Sequence, residues 1–186
     1  GVRHPKLVVE ARNLAGIDYP PITLEPTARV ARIVREGRAS IEQAEQALAS
    51  VQANIIGHHG YLAADNVGVG KSREIALTII DLMERAKQDG RNLRLLVTTK
   101  SADNIADLID RELLQAVLEG DPPGFEIVRV SDLKASKAKK GDTKYEPLPQ
   151  YPHAIYVTDF YNLAPYRAAL QEVGLHGIIG DEAHRF

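Results

Sequence analysis

Apolar residues at Ile41, Ala44, Ala47, Leu48 and Val51 recur at intervals of three and four, which predicts an amphipathic helix over Ile41–Ala53 with Ser40 as its N-cap. Beyond it the pattern alternates between short apolar runs and helical periodicity. Strands are predicted at Gly60–Ala64, Leu93–Thr98, Phe125–Val130, Ala154–Thr158 and Gly177–Gly180, and helices at Lys71–Gln88, Ala102–Leu118 and Tyr161–Val173. Strands separated by helices imply an α/β domain in which a mostly parallel sheet is flanked by helices. Ligands are then expected at the carboxyl ends of the strands. No internal repeat is visible.

Two segments depart from this rhythm. Residues 1–39 carry Pro20, Pro21 and Pro26 without sustained periodicity and read as an extended lead-in, leaving 40–186 as the nucleotide-binding lobe argued below. Ser131–Gln150 holds Lys134, Lys137, Lys139, Lys140 and Lys144 among Gly141, Pro147 and Pro149, too polar to pack. A solvated surface loop is the simpler reading; a basic loop touching phosphates is the functional one.

Composition changes this picture little. The chain has 186 residues, ordinary globular composition and a formal charge of −2, so nucleic acid could be held only by local basic patches. Absence of cysteine excludes disulfides and thiolate metal sites. No run reaches membrane-spanning length and the N-terminus has no signal-peptide apolar core, so a soluble, cytoplasmic protein is expected.

The chemistry concentrates in two places. Asp65-Asn66-Val67-Gly68-Val69-Gly70-Lys71-Ser72 follows one predicted strand and opens a predicted helix. It varies the phosphate-loop pattern G-x-x-x-x-G-K-[ST], with Asp65 at the first glycine position. Gly68 and Gly70 let the backbone curl close to phosphates, Lys71 reaches the β- and γ-phosphates, and Ser72 offers a hydroxyl to Mg²⁺. Asp181-Glu182 ends the last apolar run. Asp181 is placed to hold Mg²⁺ and Glu182 to polarise the attacking water, which together imply ATP and Mg²⁺ as ligands.

Other local matches are weaker. Asp121-Pro122-Pro123-Gly124 resembles a GTPase D-x-x-G but precedes its strand, and Thr99–Asp103 misses the guanine-reading N-K-x-D. Adjacent His58 and His59 point to opposite faces of an extended segment and have no third ligand nearby in sequence.

With Asp181-Glu182-Ala183-His184 completing the acidic motif, the chain resembles the first RecA-like lobe of superfamily 2 helicases and translocases. HPKLVVEARNLAGIDYPPITLEP, SIEQAEQAL and GYLAADNVGVGKSREIA are similar to the helicase region of strawberry notch-like proteins and their bacterial and phage relatives. The similarity is densest between Ser40 and Ile79 and departs from the family at Ala64, Asn66 and Ser72, where many members have glycine. The resemblance implies a RecA-like P-loop NTPase fold and an adenine-reading glutamine at Gln43, with Gln46 as a rival. It further implies backbone contacts to nucleic acid, expected to be DNA, from Thr99, Lys100, Ser101 and Thr158, and a relay role for His184. A second RecA-like lobe in the full-length protein would be its partner, and the setting would be a bacterial or phage-infected cytoplasm, or the nucleus of a eukaryote. The alternatives are an AAA+-type ATPase switch and a nucleotide-binding module without motor activity.

Overall fold

The computed structural model describes residues 21–55, 70–130 and 147–181. Its elements are helices α1 (Ala28–Arg35), α2 (Ile41–Ile55) and α3 (Lys71–Gln88), strand β1 (Leu93–Thr99), helix α4 (Ala102–Ala106, continuing with wider turns over Asp107–Val117), strands β2 (Glu126–Arg129) and β3 (His153–Asp159), helices α5 (Phe160–Leu163) and α6 (Arg167–Val173), and strand β4 (Gly177–Gly180).

The four strands pair in the order β2-β3-β1-β4, all parallel. Parallel strands need covered faces, and β1 supplies residues to both. Leu95 and Val97 join Ile155 and Val157 beneath α1, α2, α3 and α4, whereas Leu96 joins Ala154 and Tyr156 beneath α6. The long helix α3 crosses the first face with Leu77, Ile79, Ile80 and Met83 inaccessible to solvent. It ends in a Schellman turn, with Gly90 at φ +65 and the Arg91 N–H on the Ala86 carbonyl at 2.8 Å, which reverses the chain into β1. The N-terminus of α3 therefore returns to the same edge as the carboxyl ends of the strands.

The structure agrees with the expected α/β architecture and with the Lys71–Gln88 and Gly177–Gly180 boundaries. The expected strand at Gly60–Ala64 and the lysine-bearing stretch from 131 to 146 lie outside the described residues.

Three expectations are corrected. Within the supposed extended lead-in, residues 21–27 lack regular structure, but Ala28–Arg35 is a helix whose Val30 and Ile33 enter the main core while Arg32 and Arg35 face outward. Eight residues gave too short a period to stand out beside the prolines. The helix expected over Tyr161–Val173 is broken at Ala164–Tyr166, because Pro165 has no N–H to donate and its ring disfavours helix at the preceding residue. The helix from Ala102 widens into π-type turns after Ala106, closing with the Leu118 N–H on the Leu113 carbonyl at 2.9 Å.

The segment before α1 is tied down by side chains of the helices it crosses. The Gln52 amide accepts from the N–H groups of Thr23 (2.8 Å) and Leu24 (3.0 Å) and donates to the Pro21 carbonyl (3.0 Å). Asp81, only 1% exposed, accepts from the Thr27 N–H at 2.9 Å and from Arg85 Nε at 2.6 Å. Arg85 in turn donates to the Glu25 carbonyl.

Candidate functional site

Gly70 is the N-cap of α3, at φ +87 and ψ 37, a left-handed conformation that glycine alone adopts without strain. Its carbonyl accepts the N–H groups of Arg73 (2.9 Å) and Glu74 (3.2 Å) and closes the first helical turn. The N–H groups of Lys71 and Ser72 belong to the first turn, where a helix offers donors and a positive dipole end to an anion. Both side chains are half-buried at that end. The rest of the expected loop, Asp65, Asn66, Val67, Gly68 and Val69, lies outside the described residues.

A second element closes on Gly70 from α2. Ser40 and Gln43 form a reciprocal capping box: the Gln43 N–H donates to Ser40 Oγ at 3.2 Å, and Gln43 Oε1 accepts from the Ser40 N–H at 3.1 Å. The same amide turns its Nε2 toward Gly70, where a Cβ would stand 2.3 Å away. Gln43 thus reaches the end of the phosphate loop with its carbonyl engaged in capping.

The expected acidic residue Asp181 directly follows β4. The residues of β4 pair in register with Leu95–Thr98, and the Asp181 N–H donates to the Thr98 carbonyl at 2.9 Å, so Asp181 is fixed one step past the strand end. Thr98 is itself buried, and its Oγ1 has no hydrogen-bond partner among the described residues. Glu182 and His184 lie outside the described residues. The residue types suit a magnesium-bound triphosphate: a left-handed glycine at Gly70, an ammonium at Lys71, a hydroxyl at Ser72 and a carboxylate at Asp181. Among the described residues no cluster of three histidine or acidic side chains forms a separate metal site.

The residues expected on nucleic acid divide in two. Thr99 and Thr158 are 0% exposed; Thr99 Oγ1 donates to the Ser101 carbonyl at 3.0 Å and Thr158 Oγ1 to the Asp159 carbonyl at 3.3 Å. These hydroxyls face inward because strand residues alternate onto faces that helices cover. Neither presents a donor to a phosphate in this conformation. Ser101 caps α4, accepting from the Asn104 N–H at 3.3 Å and donating to Asn104 Oδ1 at 2.7 Å. Lys100 remains half-exposed between them.

Sequence reasoning placed Asp159 only within Val157–Tyr161, by resemblance a motif along the nucleic-acid strand path, and gave it no capping role. Its carboxylate caps α5, accepting from the N–H and the side-chain Nδ2 of Asn162, both at 2.9 Å. The D-x-x-N spacing at the end of an apolar run was the available signal.

A family model described as P-loop containing NTP hydrolase pore-1 matches residues 3–144. The match spans Gln43, the whole expected phosphate loop and Thr99–Ser101, and ends before Thr158 and the acidic pair. No curated protein and no solved structure matches the chain.

Proposed function

As a member of the P-loop NTP hydrolase family matched over 3–144, the chain binds and hydrolyses nucleotide by family, and we propose that it serves as the ATP-driven lobe of a superfamily 2 type DNA translocase. The carrying observation is the junction of Gln43, Gly70 and Lys71: a glutamine from a preceding helix lies on the left-handed glycine that opens the lysine-bearing helix. The likeness to strawberry notch-like proteins across Ser40–Ile79, and the Asp-Glu-Ala-His run, support the narrower reading over other P-loop enzymes.

In this reading Lys71 and the first-turn N–H groups of α3 bind the β- and γ-phosphates, with Ser72 and Asp181 as the magnesium ligands. A magnesium ion bound there supplies charge neutralisation at the phosphates. Glu182 orients water for in-line attack. Phosphoryl transfer depends mainly on positioning and electrostatics, so the role given to Glu182 rests on placement more than on basicity. An arginine from a second lobe would complete the transition-state charge balance.

ATPase assays with and without single- and double-stranded DNA test the proposal. DNA-stimulated turnover by the full-length protein, lost in Glu182→Gln with nucleotide binding kept, supports the translocase. Turnover indifferent to DNA favours the AAA+-type switch.

A further inference from the structure

Gly70, the N-cap of α3, has no side chain with which to cap the helix. The first-turn N–H groups are thus left for an anion, as a phosphate site requires, but a helix end without a side-chain cap is prone to fray. Whatever steadies this turn has to reach it from neighbouring elements. Gln43 of α2 is one such contact. The other is Arg73, the residue after Ser72, whose Nε donates to Glu112 Oε2 of α4 at 3.0 Å.

Two observations set this pair apart from an ordinary surface bridge. An arginine in the first turn of a helix opposes the helix dipole, which favours acidic side chains there. With the two side chains 31% and 29% exposed, the pair adds little to global stability in return. The second observation is the firmness of what Arg73 grips. Glu112 stands between Ile109 and Leu113, both inaccessible to solvent, and Asp110 on the same stretch pairs with Arg129 of β2 at 2.5 Å. One turn along α3 from Arg73, Leu77 lies in the same core as Ile109 and Leu113. The bridge therefore fastens the beginning of α3 to a helix that is itself anchored in the core and to the sheet.

We propose that Arg73 is a positioning residue for the nucleotide site. Through Glu112 it holds the first turn of α3, so that the N–H groups of Lys71 and Ser72 and the Ser72 hydroxyl meet a magnesium-bound triphosphate already ordered. This rests on the nucleotide reading above. Arg73 acts through the backbone of its own turn, its charge being matched by Glu112, and not as a further cation on the phosphates.

Isothermal titration of Mg·ATP into the wild-type chain, Arg73→Gln, Glu112→Gln and the exchange variant Arg73→Glu with Glu112→Arg tests this, with thermal unfolding recorded for each. Both single variants are expected to bind about two- to fivefold more weakly while melting within about 4 °C of the wild type. The exchange variant restores the bridge with its charges reversed and is expected to bind within about twofold of the wild type. Unchanged affinity in both single variants overturns the positioning role. A loss in Arg73→Gln that deepens in the exchange variant, with Glu112→Gln unaffected, overturns it too, because the arginine then acts by its own charge on the nucleotide. A wild-type chain that binds no Mg·ATP overturns the nucleotide reading itself.

Discussion

The amide of Gln43 lies so close over Gly70 that a Cβ there would stand 2.3 Å from its Nε2, while its carbonyl caps α2 through the Ser40 N–H at 3.1 Å. One side chain thereby joins the start of α2 to the start of α3, and through α3 to the lysine that defines the site. Gln43 acts on the conformation of the loop's last glycine whatever else it contacts in the bound state.

Gly70→Ala should therefore cost stability chiefly through its backbone. The left-handed conformation carries about 1–2 kcal/mol for a residue with a Cβ, and the Gln43 amide, the end of a flexible side chain, has to swing aside at a smaller cost. Adding Gln43→Ala should relieve the clash and not the backbone strain, so the double variant should recover only part of the lost stability. Denaturant unfolding of the two single variants and the double checks this; full recovery would show that the glycine's φ is unimportant.

Asp81 is the buried anchor of the segment that crosses α3. Asp81→Ala removes the acceptor for the Thr27 N–H and the carboxylate paired with Arg85, and should cost about 3 kcal/mol in urea unfolding. Asp81→Asn keeps an acceptor and should cost less. Limited proteolysis should then cut faster between Pro21 and Thr27 in Asp81→Ala than in the wild type.

Burial pushes the Tyr156 phenol above its ordinary value of 10.0, and its hydroxyl donates to the Pro149 carbonyl at 2.6 Å. Raised in the folded state, the group contributes stability that is complete below the unfolded value. That stability declines as pH climbs past about 10, where the unfolded phenol ionises first. Tyr156→Phe should lose about 1 kcal/mol at neutral pH from the missing hydrogen bond and show a shallower alkaline decline. Urea midpoints measured across the alkaline range give both.

Much of this was readable from residue order. The apolar runs of β1 and β3 are buried on both faces and so stand out as continuous strings, and Gly70-Lys71-Ser72 marks the start of α3 because phosphate chemistry needs that local sequence. The helix at Ala28–Arg35 was hidden because its identity as core depends on α3, distant in sequence. The inward turn of Thr99 and Thr158 depends equally on which helices cover each face. Strand-end threonines look alike in sequence whether they meet solvent or a neighbouring helix. Pro165 did announce the break between α5 and α6, and apolar periodicity across it masked the signal.

The account turns on Gly70, Lys71, Ser72 and Asp181 holding a magnesium-bound nucleoside triphosphate. Isothermal titration of the chain with ATP, in Mg²⁺ and in excess chelator, against Lys71→Ala of matched thermal stability, measures that claim. Binding that requires Mg²⁺ and disappears in Lys71→Ala is the predicted result. Equal affinity in the two proteins, or binding by the wild type that ignores Mg²⁺, would contradict it.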